Sequence, residues 1–338
     1  MGNSLLFQAS FDASWFDWKW IDWSNCHRRV RSLQRRIVQA TKAGAWRKVK
    51  RLSYLLVKSR AARLLAVRRV TGNRGRKTPG VDGVLWDTPE RKVQAVAELA
   101  SDRGYNPLPL KRVYIAKANG KQRPLGIPVM KDRGFQAVHL QALTPIAETM
   151  ADHNSYGFRP KRRCADAIDQ LFKILRHKKS ATWIYEADIA GFFDNISFSW
   201  IEGNVPTDKR LLSKWLRCGY MDEQAYHPTT AGVPQGGLIS PVIGNMTLDG
   251  LEQVVRGETE SFRRKHNINF VRYADDFVIT ANNRAVLEQI GTKVESFLAE
   301  RGVSLSKEKT KITHIRERNR GQSRFCARLR APQASLEI

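Results

Sequence analysis

With 338 residues, 42% of them hydrophobic, the chain is long enough for two or three modules around a sizeable buried core. Its 58 Lys and Arg against 32 Asp and Glu leave a formal charge of +26, which points to a polyanionic partner. Cys26, Cys164, Cys218 and Cys326 stand alone, and neither a run of 18 apolar residues nor a basic-then-apolar leader occurs; a disulfide framework, a structural zinc, a membrane span and a signal peptide are not expected, and a reducing cytoplasmic setting is.

In chain order, the first feature is a segment from Arg28 to Lys77 with eighteen Lys or Arg and no Asp or Glu. Val30, Leu33, Ile37, Leu52, Leu55, Leu56, Leu64 and Leu65 recur within it at helical spacings, so two or three basic amphipathic helices are predicted over 28–70. A solvated face is the ordinary reading of a charge run. The complete absence of acids favours a surface that lies against phosphates and binds them in a salt-dependent way. Gly, Pro and Lys from Asn73 to Gly83 mark a loop, and a module boundary is placed near residue 75.

Beyond it, short apolar runs alternate with turn residues. Arg112–Ala116 reads as a strand leading into an Asn119-Gly120 hairpin turn. Helices are predicted over Lys131–Thr149 and Cys164–Arg176, a strand over Thr182–Ile189, and a helix from Pro241 to about Val255 with Ser240 as its cap. Two further strands flank Asp275-Asp276. This irregular mixture predicts an α+β architecture rather than a doubly wound sheet.

Two of these strands carry acids. Asp188 sits inside the strand-like apolar run Trp183–Ile189, where strands disfavour Asp and an unpaired buried carboxylate is costly. A metal ion removes that cost; a cap or a salt bridge is the plainer alternative. Asp275 and Asp276 join Phe270–Tyr273 to Phe277–Ile279, and the plainer reading there is a hairpin whose turn uses two acids. If that hairpin lies beside the Asp188 strand, three carboxylates meet and need cations among them. Hard oxygen ligands suit Mg²⁺. Two such ions about 3.5–4 Å apart serve in-line phosphoryl transfer, so nucleotidyl transfer or phosphodiester cleavage follows.

Nucleotide-holding residues favour the first of these. Lys117 and Arg123 flank the Asn-Gly turn and offer two cations to a triphosphate, ordinary surface charge being the alternative. Gln235 lies within the glycine-rich stretch Ala231–Pro241, where a backbone can approach a base or sugar closely, or simply turn. A two-metal nuclease accounts for the acids and leaves Lys117, Arg123 and Gln235 without a role.

The order and wording of six segments resemble the reverse transcriptases encoded by bacterial group II introns: Lys77-Thr-Pro-Gly-Val-Asp-Gly83, Arg123-Pro-Leu-Gly-Ile-Pro128, Ser155-Tyr-Gly-Phe-Arg-Pro160, Asp188-Ile-Ala-Gly-Phe-Phe-Asp194, Pro234-Gln-Gly-Gly237 and Tyr273-Ala-Asp-Asp276. The resemblance implies right-hand polymerase fingers and palm over residues 76–315, behind a basic helical RNA-binding extension over 1–75. It implies that Asp188, Asp275, Asp276 and the Ile189 carbonyl hold two Mg²⁺ ions. Lys117, Arg123, Phe193 and Gln235 would contact the dNTP, with Phe193 beneath the sugar to exclude a 2′-hydroxyl. The implied partners are the intron RNA, a template-primer and dNTPs, and the implied roles are splicing and retrohoming. A non-catalytic intron RNA-binding splicing factor on the same fold is the alternative.

After Ile315 the family's Phe-Leu-Gly-Phe-like strand gives way to an Arg-rich tail over 316–338. The expectation drawn from it is a chain without a thumb, truncated by a frameshift, with its polymerase activity put in question by the truncation.

Overall fold

The computed structural model describes residues 18–116, 120, 122–257 and 259–315. The acid-free segment forms α1 (Trp23–Lys42), α2 (Trp46–Lys58) and α3 (Arg60–Gly72), three helices that cover the expected span and run past it at both ends. Asp22 caps α1, its Oδ1 accepting from the Asn25 N–H at 2.9 Å and satisfying a donor that a helix start leaves open. Val30, Ile37, Val49, Leu52, Leu56 and Val67 turn inward, while most of the Arg and Lys between them stay in water, the division a 3.6-residue period imposes.

A 3₁₀ turn at Arg74–Lys77 and α4 (Pro89–Glu98) lead to β1 (Leu110–Ala116) and β2 (Gln122–Ile127), paired antiparallel with Ala116 opposite Gln122. This is the expected hairpin; residues 117–119 and 121 of its turn lie outside the described residues. The next helix, α5 (Met130–Met150), is buried along most of its length, and α1, α2 and α3 lie against it. Arg133 of α5, 1% exposed, donates to the carbonyls of Pro128 at 2.8 Å, Gly75 at 3.0 Å and Thr78 at 2.6 Å. The loop around residue 75 is thereby tied to α5, and one hydrophobic cluster runs from Ile21 to Val303.

The chain continues through α6 (Cys164–Leu175), β3 (Trp183–Asp188), α7 (Phe192–Asn195), α8 (Phe198–Asn204), α9 (Lys209–Leu216), β4 (Tyr220–Asp222) and β5 (Ala225–His227). Strand β4 adds parallel to β1, giving a first sheet in the order β2-β1-β4-β5. Then come α10 (Ser240–Leu248), α11 (Leu251–Arg256), α12 (Glu260–His266), β6 (Asn269–Tyr273), β7 (Asp276–Ala281), α13 (Arg284–Ala299) and β8 (Lys311–His314). The second sheet is antiparallel, β6-β7-β3-β8. The whole is α+β, as expected, and among the described residues no helix is long and apolar enough to cross a membrane.

One predicted element needs correction. The single helix expected from Pro241 to Val255 is two, α10 and α11, because Asp249 leaves the helical region at φ −67°, ψ 139°. Nor does Ser240 cap α10: its hydroxyl donates to the Pro234 carbonyl at 2.7 Å.

Candidate active site

The period of two in a strand sorts the residues of the second sheet onto two faces. Tyr185, Ala187, Phe270, Phe277 and Ile279 face the main core. Ile184, Val271 and Val278 face a smaller cluster with Ala167 and Leu171 of α6. Asp188 shares the second face, and the register sets it directly opposite Asp276. Asp276 in turn pairs with Tyr273 across the β6–β7 hairpin, which leaves Ala274 and Asp275 as the turn, Ala274 in the left-handed region at φ 55°.

Two carboxylates opposite each other in a ladder, with Cβ atoms roughly 4.5–5.5 Å apart, repel unless a cation stands between them. Asp188 is 5% exposed, and the Lys309 ammonium lies 2.5 Å from its Oδ2. Lys309 comes from the segment between α13 and β8. Its approach is fixed by the Ser306 N–H donating to the Asp188 carbonyl at 2.8 Å and by an isolated bridge between Ile189 and Leu305. Among the described residues no three His, Cys, Asp or Glu side chains are gathered so as to hold a metal ion. The register supplies two carboxylates side by side, and one or two are what Mg²⁺ takes from a protein when water and phosphate complete its shell. The donor set therefore fits that ion in number and kind.

A second group ties β2 of the first sheet to the glycine-rich loop before α10 and to α7. Arg123 Nε donates to Gln235 Oε1 at 2.9 Å, and Gln235 Nε2 donates to Asp194 Oδ1 at 3.1 Å. The Gln235 carbonyl also accepts from the Gly126 N–H of β2 at 2.7 Å. The neighbouring Gly236 has φ +120°, and a Cβ there would sit 2.4 Å from the Gly126 carbonyl oxygen, so only glycine allows this approach. Phe192 is 4% exposed in the core, whereas Phe193 is half-buried beside Phe158, ring centroids 6.2 Å apart. The structure thus brings together Asp188 with Asp276, and Arg123 with Gln235. Lys117 lies outside the described residues.

Sequence reasoning missed the layer behind the turn. Arg272 is fully buried and donates to Asp249 Oδ1 at 2.7 Å, Asn245 Oδ1 at 3.2 Å and the Ala274 carbonyl at 3.3 Å. Burial pushes Asp249 up to about 6 against the pull of Arg272, and pushes the Arg272 guanidinium down. Asn245 Nδ2 donates to the Gly157 carbonyl at 2.9 Å, and a Cβ on Gly157 would stand 2.3 Å from the Ala274 nitrogen. The one sequence signal was an arginine inside an otherwise apolar strand, Phe270-Val271-Arg272.

Comparison with known proteins matches residues 115–332 to the family described as reverse transcriptase (RNA-dependent DNA polymerase) and residues 18–99 to the N-terminal domain of reverse transcriptase. The first match runs past Ile315. Protein YkfC of Escherichia coli (strain K12) is 32% identical over 291 residues, 75% of this chain and 76% of that protein. The group II intron-encoded protein LtrA of Lactococcus lactis subsp. cremoris is 29% identical over 315 residues, 74% of this chain and 52% of that protein; the chain thus spans about half of LtrA. A solved structure of telomerase from Candida albicans with an RNA fragment superposes with a TM-score of 0.43 at 13% identity, covering 64% of this chain and 43% of that one.

Proposed function

This chain belongs to the reverse transcriptase family, and on that premise we propose that it is an RNA-directed DNA polymerase of the group II intron type. The observation that carries the reading is the register that sets Asp188 opposite Asp276, with Asp275 next in the chain. In this reading Asp188, Asp275, Asp276 and the Ile189 carbonyl hold Mg²⁺, which when bound activates the attacking hydroxyl and steadies the leaving pyrophosphate.

The remaining roles belong to side chains. Arg123 offers its planar fork to the triphosphate, and Lys117 supplies a point charge to it. Gln235, bonded to Arg123 and Asp194, orients Arg123 from the glycine-rich loop before α10 and faces base and sugar. Phe193, half-buried and backed by Phe158, lies under the sugar and excludes a 2′-hydroxyl. Lys309 offsets the mutual repulsion of the two strand-paired carboxylates. The exposed cations of α1–α3 take the intron RNA, in support of splicing and retrohoming within a cytoplasmic setting.

A second reading, a splicing factor that binds intron RNA without polymerising, is favoured by the acid-free helices alone. Primer extension on an RNA template with dNTPs and Mg²⁺ separates the two. Extension abolished by Asp276→Asn supports the enzyme. No extension by either chain, with salt-sensitive RNA binding retained, supports the splicing factor. Template cleavage without dNTPs supports a two-metal nuclease.

A further inference from the structure

The Tyr273-Ala274-Asp275-Asp276 turn is held from behind by a buried cation. Arg272 sits on the opposite face of β6 from the α6 cluster, 0% exposed. Its Nη1 reaches forward to the Ala274 carbonyl at 3.3 Å and sideways to Asn245 Oδ1 at 3.2 Å, and its Nη2 reaches Asp249 Oδ1 at 2.7 Å.

Such a placement is costly. A guanidinium taken out of water loses solvation that its partners must restore, and the buried Arg272 Nε has no hydrogen-bond partner among the described residues. If the strand needed only packing, an apolar side chain like those of Phe270 and Val271 would serve better. The contact to Ala274 accounts for the difference. Ala274 is a non-glycine residue at φ 55°, a strained conformation that L-residues keep only when their surroundings over-determine it. Three contacts do so here. Arg272 binds the Ala274 carbonyl. The α-carbon of Gly157 lies too near the Ala274 nitrogen for any side chain there. Asn245 ties these two together, donating to the Gly157 carbonyl and accepting from Arg272.

We infer that Arg272, braced by Asn245 and Asp249, is a positioning residue that fixes the left-handed turn at Ala274 and thereby the placement of the Asp275 and Asp276 carboxylates for metal. The inference rests on the metal-holding role given to those residues in the proposed function. Groups that orient metal ligands from behind change metal affinity by about 10- to 100-fold when replaced. They leave contacts made elsewhere with nucleotide and RNA as they were.

The test is Mn²⁺ binding by titration calorimetry to the full chain and to Arg272→Lys, with circular dichroism reporting the fold. The lysine keeps the charge and loses the fork. The expected result is a folded variant whose Mn²⁺ dissociation constant rises about tenfold, with intron RNA affinity within about twofold of the parent. Equal Mn²⁺ affinity in a folded Arg272→Lys chain overturns the inference, as does a parent chain that binds no Mn²⁺. If the lysine variant fails to fold, Asn245→Ala decides, since it leaves the arginine and its ion pair and removes one brace. A weakened Mn²⁺ affinity in a folded Asn245→Ala supports the inference, and an unchanged one overturns it. A parent chain whose Mn²⁺ binding depends on Arg272 yet which extends no primer leaves the inference standing and removes the polymerase reading instead.

Discussion

Phe193 carries the sugar selectivity proposed above, and its surroundings suit the task. Its neighbour Phe192 is committed to the core, while the Phe193 ring rests on Phe158 and beside Gly244, where a Cβ would come within 2.9 Å of the ring. Glycine at that position of α10 therefore makes room for the ring. Phe193→Ala opens space for a 2′-hydroxyl. The expected outcome is a rise in rNTP use relative to dNTP of about tenfold or more, worth ~1.4 kcal/mol, measured as the ratio of kcat/KM for the two; an unchanged ratio assigns Phe193 to packing alone. The acids were legible from sequence because Asp188 is out of place at the end of an apolar strand and two adjacent acids punctuate a hairpin. Lys309 and Arg272 were not, since their partners lie far away along the chain, Lys309 pairing with Asp188 across 121 positions and Arg272 with Asp249 across 23. Periodicity says nothing about such pairs.

At the scale of elements, α5 combines two buried titratable groups with opposite consequences. Burial pushes the Asp132 carboxyl up to about 7, opposed by the hydrogen bond from Tyr105, while burial pushes His139 down to about 4. The folded state thus holds the Asp132 proton more tightly than the unfolded chain, so this contribution is complete below about pH 4 and is lost as pH rises toward 7. His139 must stay neutral, so its contribution is complete above about pH 6.5 and is lost as pH falls toward 4. Between about pH 4 and 6.5 the two slopes oppose, each of order 1.4 kcal/mol per unit at most. Urea midpoints measured across that range should rise with pH more steeply in Asp132→Asn than in the parent, and fall relative to the parent in His139→Gln; parallel curves for all three chains contradict the assignment. The helices of the extension, α5, α6 and the central strands could be read from sequence because each is long enough to show its period. Strands β4 and β5, of three residues each, are too short to do so. The break between α10 and α11 was hidden because the apolar pattern continues through it. Asp249 interrupts the helix there and delivers its carboxylate to Arg272.

Over the whole molecule, the charge of +26 is concentrated where the chain has the least catalytic chemistry. Arg47, Lys50 and Arg51 are all exposed on α2, on a helix whose other side is fixed by Val49, Leu52 and Leu56. Replacing these three by Ser should lower RNA affinity at every sequence and reduce the slope of log affinity against log salt by about 2, at roughly 0.7 per phosphate contact on single strands. A slope unchanged in the triple variant places the RNA elsewhere. The extension and the second sheet share one hydrophobic cluster, so RNA held by α1–α3 is held by the same body that carries Asp188 and Asp276.

The central claim is that the paired carboxylates of the second sheet hold the metal for nucleotidyl transfer. It is tested most directly by single-nucleotide primer extension on an RNA template, comparing the parent chain with Asp276→Asn at matched thermal stability. The account predicts extension by the parent and a loss of about a thousandfold in the variant, some 4 kcal/mol of transition-state stabilisation. Equal extension by the two chains would contradict it.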